Sequence, residues 1–178
     1  MNKLKQIIRE EIENSVEDII KKTKTNMKSQ WYKNVFKWVP IDYLFTIKEF
    51  NRIKDLSGNH SDYHKEYLNK LGENIKKNGL KEPAVIDYDP HTNTVLLVEG
   101  NHRIVIFQYL GIEAIPAIVF LRKQPWDDIQ KLKAKDVSGL KNKEKYYDNM
   151  WKEWRFPPNL GYNRNVNPGL IGIPTINM

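Results

Sequence analysis

The run Gly100-Asn101-His102-Arg103 lies where a strand-like apolar segment ends and an apolar helix begins. The first N–H groups of a helix have no partner within it and the helix dipole favours negative charge there, so the junction can bind an anion through its backbone. We expect Gly100 to admit a ligand close to the backbone and Asn101 to cap the helix. His102 and Arg103 follow in the first turn, where both can reach the anion. The alternative interpretation is a capped, buried helix whose two polar residues face solvent.

The elements around this junction follow from apolar periodicity and turn residues. The predicted elements are a strand at 38–41, a helix at 65–78, a hairpin of strands at 84–88 and 94–99, a helix at 101–110 and a strand at 115–121. Gly79 and Gly111 follow the two helices, in positions that favour left-handed residues. The second helix is apolar on nearly all sides, so we expect it to be buried. The order β-α-β-β-α-β predicts an α+β domain around a mixed sheet.

Further segments flank this domain on both sides. We divide the chain into an N-terminal amphipathic helix (1–30), a central domain (31–123) and a helical extension with an irregular C-terminal tail (124–178). The first helix carries an apolar stripe that includes Leu4, Ile19 and Met27, and this stripe needs a partner surface. That surface is either the helix's own domain or a second copy of the chain in a homo-oligomer. The extension is predicted to hold helices at about 125–137 and 141–154.

Charge and composition narrow the class of protein. The 178 residues carry a net charge of +7, and this excess lies in the flanks, because residues 38–120 hold 9 basic and 11 acidic side chains. Basic flanks can attract nucleic acid. The chain has no cysteine, which excludes disulfides and cysteine nucleophiles. The N-terminus is too charged for a signal peptide and no apolar run is long enough to span a membrane, so we expect a cytoplasmic protein with no membrane partner.

The segment from Tyr67 to Phe120 resembles the ParB/sulfiredoxin superfamily, in particular the ParB N-terminal-like domain. The residues that carry the resemblance are Asn78-Gly79-Leu80-Lys81-Glu82-Pro83 after a helix, the hairpin, Gly100-Asn101-His102-Arg103, Gly111 and the closing strand Ile115-Pro116-Ala117-Ile118-Val119. Trp38-Val39-Pro40-Ile41-Asp42 looks like the first strand of that family. The resemblance therefore covers about residues 38–121 and implies a ParB/sulfiredoxin-like mixed sheet.

The resemblance implies a bound nucleotide triphosphate, ATP or CTP, with Mg²⁺ as a possible companion. In this family the turn that corresponds to Gly79, Leu80, Glu82 and Pro83 lines the nucleotide pocket, and the Gly100–Arg103 signature contacts the phosphates. Partition-type ParB domains carry Gly-Glu-Arg-Arg at this signature, so the first and last residues match. Sulfiredoxins carry Gly-Cys-His-Arg.

Asn101 therefore stands where sulfiredoxins have their catalytic cysteine, and the sulfiredoxin reaction is not available to this chain. Free-serine kinases of the same superfamily also lack that cysteine, which makes a small-molecule kinase a second analogy. Phosphoryl transfer needs a base and usually Mg²⁺. We take Glu99, Asp42 and His102 as candidate catalytic groups, and we predict no dedicated metal site.

Three functions remain open from the sequence. The first is a nucleotide- or phosphate-binding protein that acts as an NTPase, a small-molecule kinase or a nucleotide-gated switch. The second is a nucleic-acid-associated ParB-like protein that uses its basic flanks to bind DNA. The third is a structural or scaffolding protein, for example in a phage-like assembly, that keeps the fold without catalysis.

Overall fold

A computed structural model describes residues 3–29, 36–47, 62–125, 127–128, 131 and 162–178. Its elements are α1 (Lys3–Ser29), β1 (Lys37–Pro40), α2 (Ile41–Thr46), α3 (Asp62–Asn78), β2 (Ala84–Asp89), β3 (Thr94–Glu99), α4 (Asn101–Tyr109), β4 (Ala114–Arg122), β5 (Tyr162–Val166) and a 3₁₀ helix (Pro168–Ile171). Most of the predicted helix at 125–137 and all of that at 141–154 lie outside this part of the chain. None of the helices within it has an apolar stretch long enough to cross a bilayer.

The sheet has five strands, with β1, β4, β2 and β3 side by side in that order and β5 paired with β4. The β2–β4 pair is parallel, and the other pairs are antiparallel. The predicted α+β class with a mixed sheet is therefore confirmed. Strand β4 is central and buried along nearly its whole length, as its continuous apolar sequence indicates. The predicted hairpin is the β2–β3 pair, and Asn93 takes a left-handed conformation in its turn.

The first strand lies one residue earlier than predicted, because β1 begins at Lys37 and Ile41 begins the short helix α2 instead of ending β1. Proline has no N–H to donate to a neighbouring strand. Pro40 therefore fits the last position of β1, which is the first strand in the order β1-β4-β2-β3. Asp42 lies exposed in the first turn of α2, where a carboxylate is favoured by the helix dipole. Sequence patterning missed this helix because it has only six residues.

The helices pack against one face of the sheet. Ile75 of α3 and Ile104 and Phe107 of α4 are buried in this core, and the burial of these two α4 residues agrees with the prediction from their apolar sequence. The amphipathic stripe of α1 reaches the same core through Ile19, which is buried, and Val16. The part of the apolar stripe whose side chains the structure describes thus packs on the domain of the same chain. A homo-oligomer remains a prediction, since the side chains before Asn14 lie outside the description.

The opposite face of the sheet holds a buried ion-pair cluster that sequence patterning did not single out. Arg122 of β4 donates from Nε to Oδ2 of Asp87 on β2 at 2.7 Å, and its Nη1 lies 3.4 Å from Oδ2 of Asp89. All three residues are at most 4% exposed. Because β2 and β4 are parallel neighbours, the cluster fixes one strand against the other on this face.

Helix α4 ends as predicted, with Gly111 in a left-handed conformation. The Gly111 N–H donates to Gln108 O at 3.0 Å and the Ile112 N–H to Phe107 O at 2.9 Å, the paired bonds of a Schellman cap. The expectation that the helix is buried on nearly all sides is wrong at this end, because Tyr109 is 83% exposed. A tyrosine tolerates this position because its hydroxyl can remain in water.

The C-terminal tail, which we predicted as an irregular segment, forms strand β5 at Tyr162–Val166. Strand β5 pairs with β4, and further along the Ile176 N–H donates to Trp38 O at 2.9 Å. Between these two attachments, Ile173 is 2% exposed. Hydrogen bonds to a neighbouring strand can order a segment that shows no apolar periodicity, which explains why patterning missed it.

Candidate functional site

A cleft of about 290 Å³ opens between α3, the N-terminus of α4 and the connection at residues 79–83, which we call the α3–β2 loop. Its lining residues are Tyr67, Leu71, Asn74 and Ile75 from α3, Gly79, Leu80, Lys81 and Glu82 from the loop, Glu99 from β3, and Gly100, Asn101, His102 and Arg103. The predicted anion-binding junction thus forms one wall of a concave site. Ligand sites in proteins are concave in the same way.

The structure brings together most of the residues that the sequence singled out. The signature and its neighbour Glu99 share the cleft with Gly79, Leu80 and Glu82 of the loop. Asp42 and Pro83 are not among the lining residues. Pro83, the last residue of the loop, is buried, and its carbonyl accepts a hydrogen bond from Arg103.

Gly100, and not Asn101, is the N-cap residue of α4, which corrects the prediction made for Asn101. Gly100 has φ 113°, and no side chain caps the helix within the described part of the chain. The Ile104 N–H makes the first helical bond, to Gly100 O at 2.9 Å. A Cβ at Gly100 would lie 3.0 Å from Cβ of Ala84, so strand β2 fills the space that glycine leaves. Backbone conformation and packing therefore account for this glycine without a ligand.

Arg103 fastens the loop to the start of α4. Its Nη1 donates to the carbonyl oxygens of Glu82 and Pro83 at 2.9 and 2.7 Å. The guanidinium also lies 3.7 Å from a carboxylate oxygen of Glu82 and from one of Glu99. Distances of 3.7 Å exceed a hydrogen bond, so these carboxylates act on Arg103 through charge attraction. With its side chain 13% exposed, Arg103 holds the cleft's shape as well as presenting positive charge to it.

The two walls of the cleft differ in chemistry. Tyr67, Leu71 and Ile75 make a largely apolar wall along α3. The opposite wall carries the α4 N-terminus, and His102 meets the Tyr67 ring edge to face, with centroids 5.2 Å apart. Lys81 adds an exposed cation at the rim. The site can therefore accept a molecule with an apolar part and an anionic part.

Sequence reasoning missed the contribution of α3 to the site. Tyr67, Leu71 and Asn74 are spaced by four and three residues, which places them on one face of the helix. That face adjoins the one assigned to the core through Ile75. The sequence signal for a surface cleft was the position of Asn74 and the half-exposed Tyr67 beside the buried face of α3. Two carboxylates of α3, Glu66 and Glu73, are exposed and paired with Lys70 and Lys76.

The fold and the cleft define an α+β protein with a helix N-terminus at a concave, mixed-charge site. Neither protein-family models nor curated protein sequences give any match to this chain.

Proposed function

We propose that the cleft binds a nucleotide or a smaller phosphorylated molecule, with a phosphate group at the N-terminus of α4. The proposal rests on one observation: the N-terminus of α4 lines the same cleft as Lys81, His102 and Arg103. Backbone N–H groups and a positive helix end are the common protein device for phosphate. Arginine and lysine beside them add charge-assisted hydrogen bonds.

The size of the cleft bears on how much of a ligand it holds. Its volume of about 290 Å³ lies just below the usual range of ligand sites, which runs from roughly 300 to 1,000 Å³. A phosphate chain with the adjoining sugar fits this range better than a whole nucleotide does. The apolar wall formed by Tyr67 and Leu71 would then contact the sugar or one face of the base.

The two carboxylates of the cleft favour a metal-bound ligand over a bare one. Glu82 and Glu99 would repel a phosphate chain, and a Mg²⁺ ion between phosphate and carboxylate oxygens removes that repulsion. Glu99 and His102 are the candidates for proton transfer if the ligand reacts, and both lie in the cleft. Asp42 is a weaker candidate than the sequence suggested, because it does not line the site.

The resemblance to the ParB/sulfiredoxin superfamily supports the same proposal. It implies that ATP or CTP lies against Gly100–Arg103 and that the α3–β2 loop lines the pocket. We extend the proposal to an NTPase or small-molecule kinase, since no cysteine is present for sulfiredoxin chemistry. If no nucleotide binds, the third function remains, namely a structural or scaffolding protein that keeps the fold without a ligand.

Thermal stabilisation by nucleotides tests the proposal. We expect ATP or CTP with Mg²⁺ to raise the Tm, because a ligand at a hundred times its Kd stabilises a protein by about 2.7 kcal/mol. Replacing Lys81 with alanine should weaken binding by roughly tenfold, the worth of one charge-assisted hydrogen bond. Kd values from calorimetric titration give the comparison.

Lys77→Ala is the matched control. Lys77 is an exposed lysine four residues earlier that does not line the cleft, so the net charge changes equally while the site is untouched. Equal losses in the two variants would point to a general charge effect and against the cleft. Absence of any shift with ATP, ADP, CTP or GTP, with and without Mg²⁺, would refute the proposal.

A basic face on α1 favours nucleic acid as a second candidate partner. Lys21, Lys24 and Lys28 are spaced by three and four residues on one side of the helix, and Lys21 and Lys28 are exposed. Replacing all three with glutamine should reduce DNA affinity and lower the slope of log affinity against log salt by up to about 2.7, near 0.9 for each lost phosphate contact.

The control for this experiment is the same triple change at Lys65, Lys70 and Lys77 on α3, which are exposed lysines of another helix. Fluorescence anisotropy with a duplex over a series of salt concentrations measures both slopes. The second candidate fails if the two triple variants lose affinity equally or if the unaltered protein shows no salt-dependent binding.

A further inference from the structure

The α3–β2 loop, one wall of the cleft, is fastened from behind by helix α1. The hydroxyl of Thr23 accepts a hydrogen bond from the Leu80 N–H at 2.8 Å, and Thr23 is fully buried. The side-chain amide of Asn26 donates to the carbonyl oxygens of Asn78 and Leu80 at 2.9 and 3.0 Å. These contacts join residues more than fifty positions apart in the chain.

The backbones of α1 and the loop also approach closely at Gly79. A Cβ placed there would lie 2.6 Å from the Thr23 backbone nitrogen and 2.7 Å from Cβ of Lys22. Gly79 itself ends α3 with a left-handed conformation and a bond from its N–H to Ile75 O at 2.8 Å. Gly79 therefore packs against α1 and also lines the cleft.

The same loop is held at its other end by Arg103, through the carbonyls of Glu82 and Pro83. Residues 79–83 thus span the space between α1 and α4 with a fixed attachment at each end. Displacement of α1 would release Leu80, which lines the cleft, while Arg103 still held the far end. The width of the cleft therefore depends on where α1 docks.

We infer that Thr23 and Asn26 are positioning residues for the ligand site and that docking of α1 and binding of the ligand favour each other. The inference rests on the proposed function, because it assigns to α1 the control of that same site. Neither residue lines the cleft, so each acts through Leu80. By thermodynamic linkage, a ligand that requires the docked loop must also stabilise the docked helix to the same extent.

The test compares Thr23→Val with Thr25→Val in the full chain. Valine keeps the shape of threonine and removes the hydroxyl. Thr25 is exposed and its hydroxyl bonds within α1, to Lys21 O at 3.0 Å, so it is the matched control. Asn26→Ala, at a half-buried position, provides a second variant should Thr23→Val not fold.

Three quantities are measured on each variant: the Kd for Mg-ATP and Mg-CTP, amide hydrogen exchange at Leu80 without ligand, and exchange of the Ile19–Met27 amides with and without nucleotide. We expect Thr23→Val to raise the Kd on the order of tenfold, a typical coupling between sites. Leu80 exchange should rise by roughly fivefold, the net worth of one hydrogen bond. Nucleotide should slow exchange in α1 of the unaltered chain and of Thr25→Val, and should do so less in Thr23→Val.

The outcomes separate this inference from the proposed function. Faster Leu80 exchange with an unchanged Kd would overturn the positioning role while leaving the nucleotide site intact. Unchanged Leu80 exchange would overturn the attachment itself. If the unaltered protein binds neither Mg-ATP nor Mg-CTP, the proposed function fails and the positioning role fails with it, whereas the Leu80 exchange result still establishes or refutes the attachment.

Discussion

Replacing Arg122 with methionine is expected to lower the free energy of unfolding by about 3–5 kcal/mol, the cost of breaking a buried ion pair from one side. Methionine fills much of the same space but leaves the carboxylates of Asp87 and Asp89 buried without this cation. These residues are 1% and 4% exposed, so water cannot compensate the charge in the folded chain. Urea unfolding followed by circular dichroism measures the change.

The matched comparison is Lys70→Met on α3, where Lys70 pairs with Glu66 at the surface. An exposed pair of this kind is worth about 0–1 kcal/mol, so this variant should remain close to the unaltered protein. Combining Arg122→Met with Asp87→Leu should recover part of the loss, because one buried charge is removed together with its partner. Equal stability of Arg122→Met and Lys70→Met would contradict the structural role of the cluster.

Replacing Gly79 with alanine should cost about 2–5 kcal/mol. Part of that cost, about 1–2 kcal/mol, is the strain of a left-handed residue that carries a Cβ. The remainder comes from overpacking, about 1–3 kcal/mol, because the new methyl would lie 2.6 Å from the Thr23 backbone nitrogen of α1. The substitution therefore both destabilises the fold and displaces α1 from the α3–β2 loop.

Gly111→Ala separates the conformational strain from the overpacking. Gly111 ends α4 just as Gly79 ends α3, with φ 74° against 69°, but apart from its neighbours in the chain no atom of the described residues lies within 4 Å of the position of its Cβ. This variant should lose only the conformational part, about 1–2 kcal/mol. The loss in unfolding free energy for Gly79→Ala minus that for Gly111→Ala gives the cost of overpacking between α1 and the loop. Equal losses would mean that α1 does not pack there.

The local features of the fold were predictable because their causes are local. Gly79 and Gly111 end helices through their own conformation, and the hairpin of β2 and β3 follows from the turn residues between two strand-like segments. The position of α4 follows from a glycine ahead of an apolar run. Each of these features depends on a few consecutive residues.

The features that were missed depend on residues far apart in the chain. Arg122 meets Asp87 across 35 positions, and neither residue differs in local pattern from a surface charge. Strand β5 exists because β4 offers it an edge, which no property of 162–166 foretells. The sequence also assigned Asn101 to the cap, whereas the sharp turn after β3 places the cap one residue earlier at Gly100.

The candidate site was predictable in part for the same reason. The α4 N-terminus and the loop residues could be identified from short motifs, and the structure brings them into one cleft. The α3 wall with Tyr67 and the attachment by Thr23 depend on how two helices pack, which a motif does not contain. Arg103 also has a second role, since its bonds to the loop carbonyls require the tertiary fold.

The most direct test of the central claim is a titration of the ¹⁵N-labelled protein with Mg-ATP and with Mg-CTP, followed by backbone amide chemical shifts. We expect the largest changes on Asn101, His102 and Arg103 at the start of α4, with the lining loop residues 79–82 next. Saturable shifts there would identify the helix N-terminus as the phosphate site. If these amides do not move with either nucleotide, or if the changes map only to the lysine face of α1, the claim that this cleft binds a phosphate ligand is contradicted.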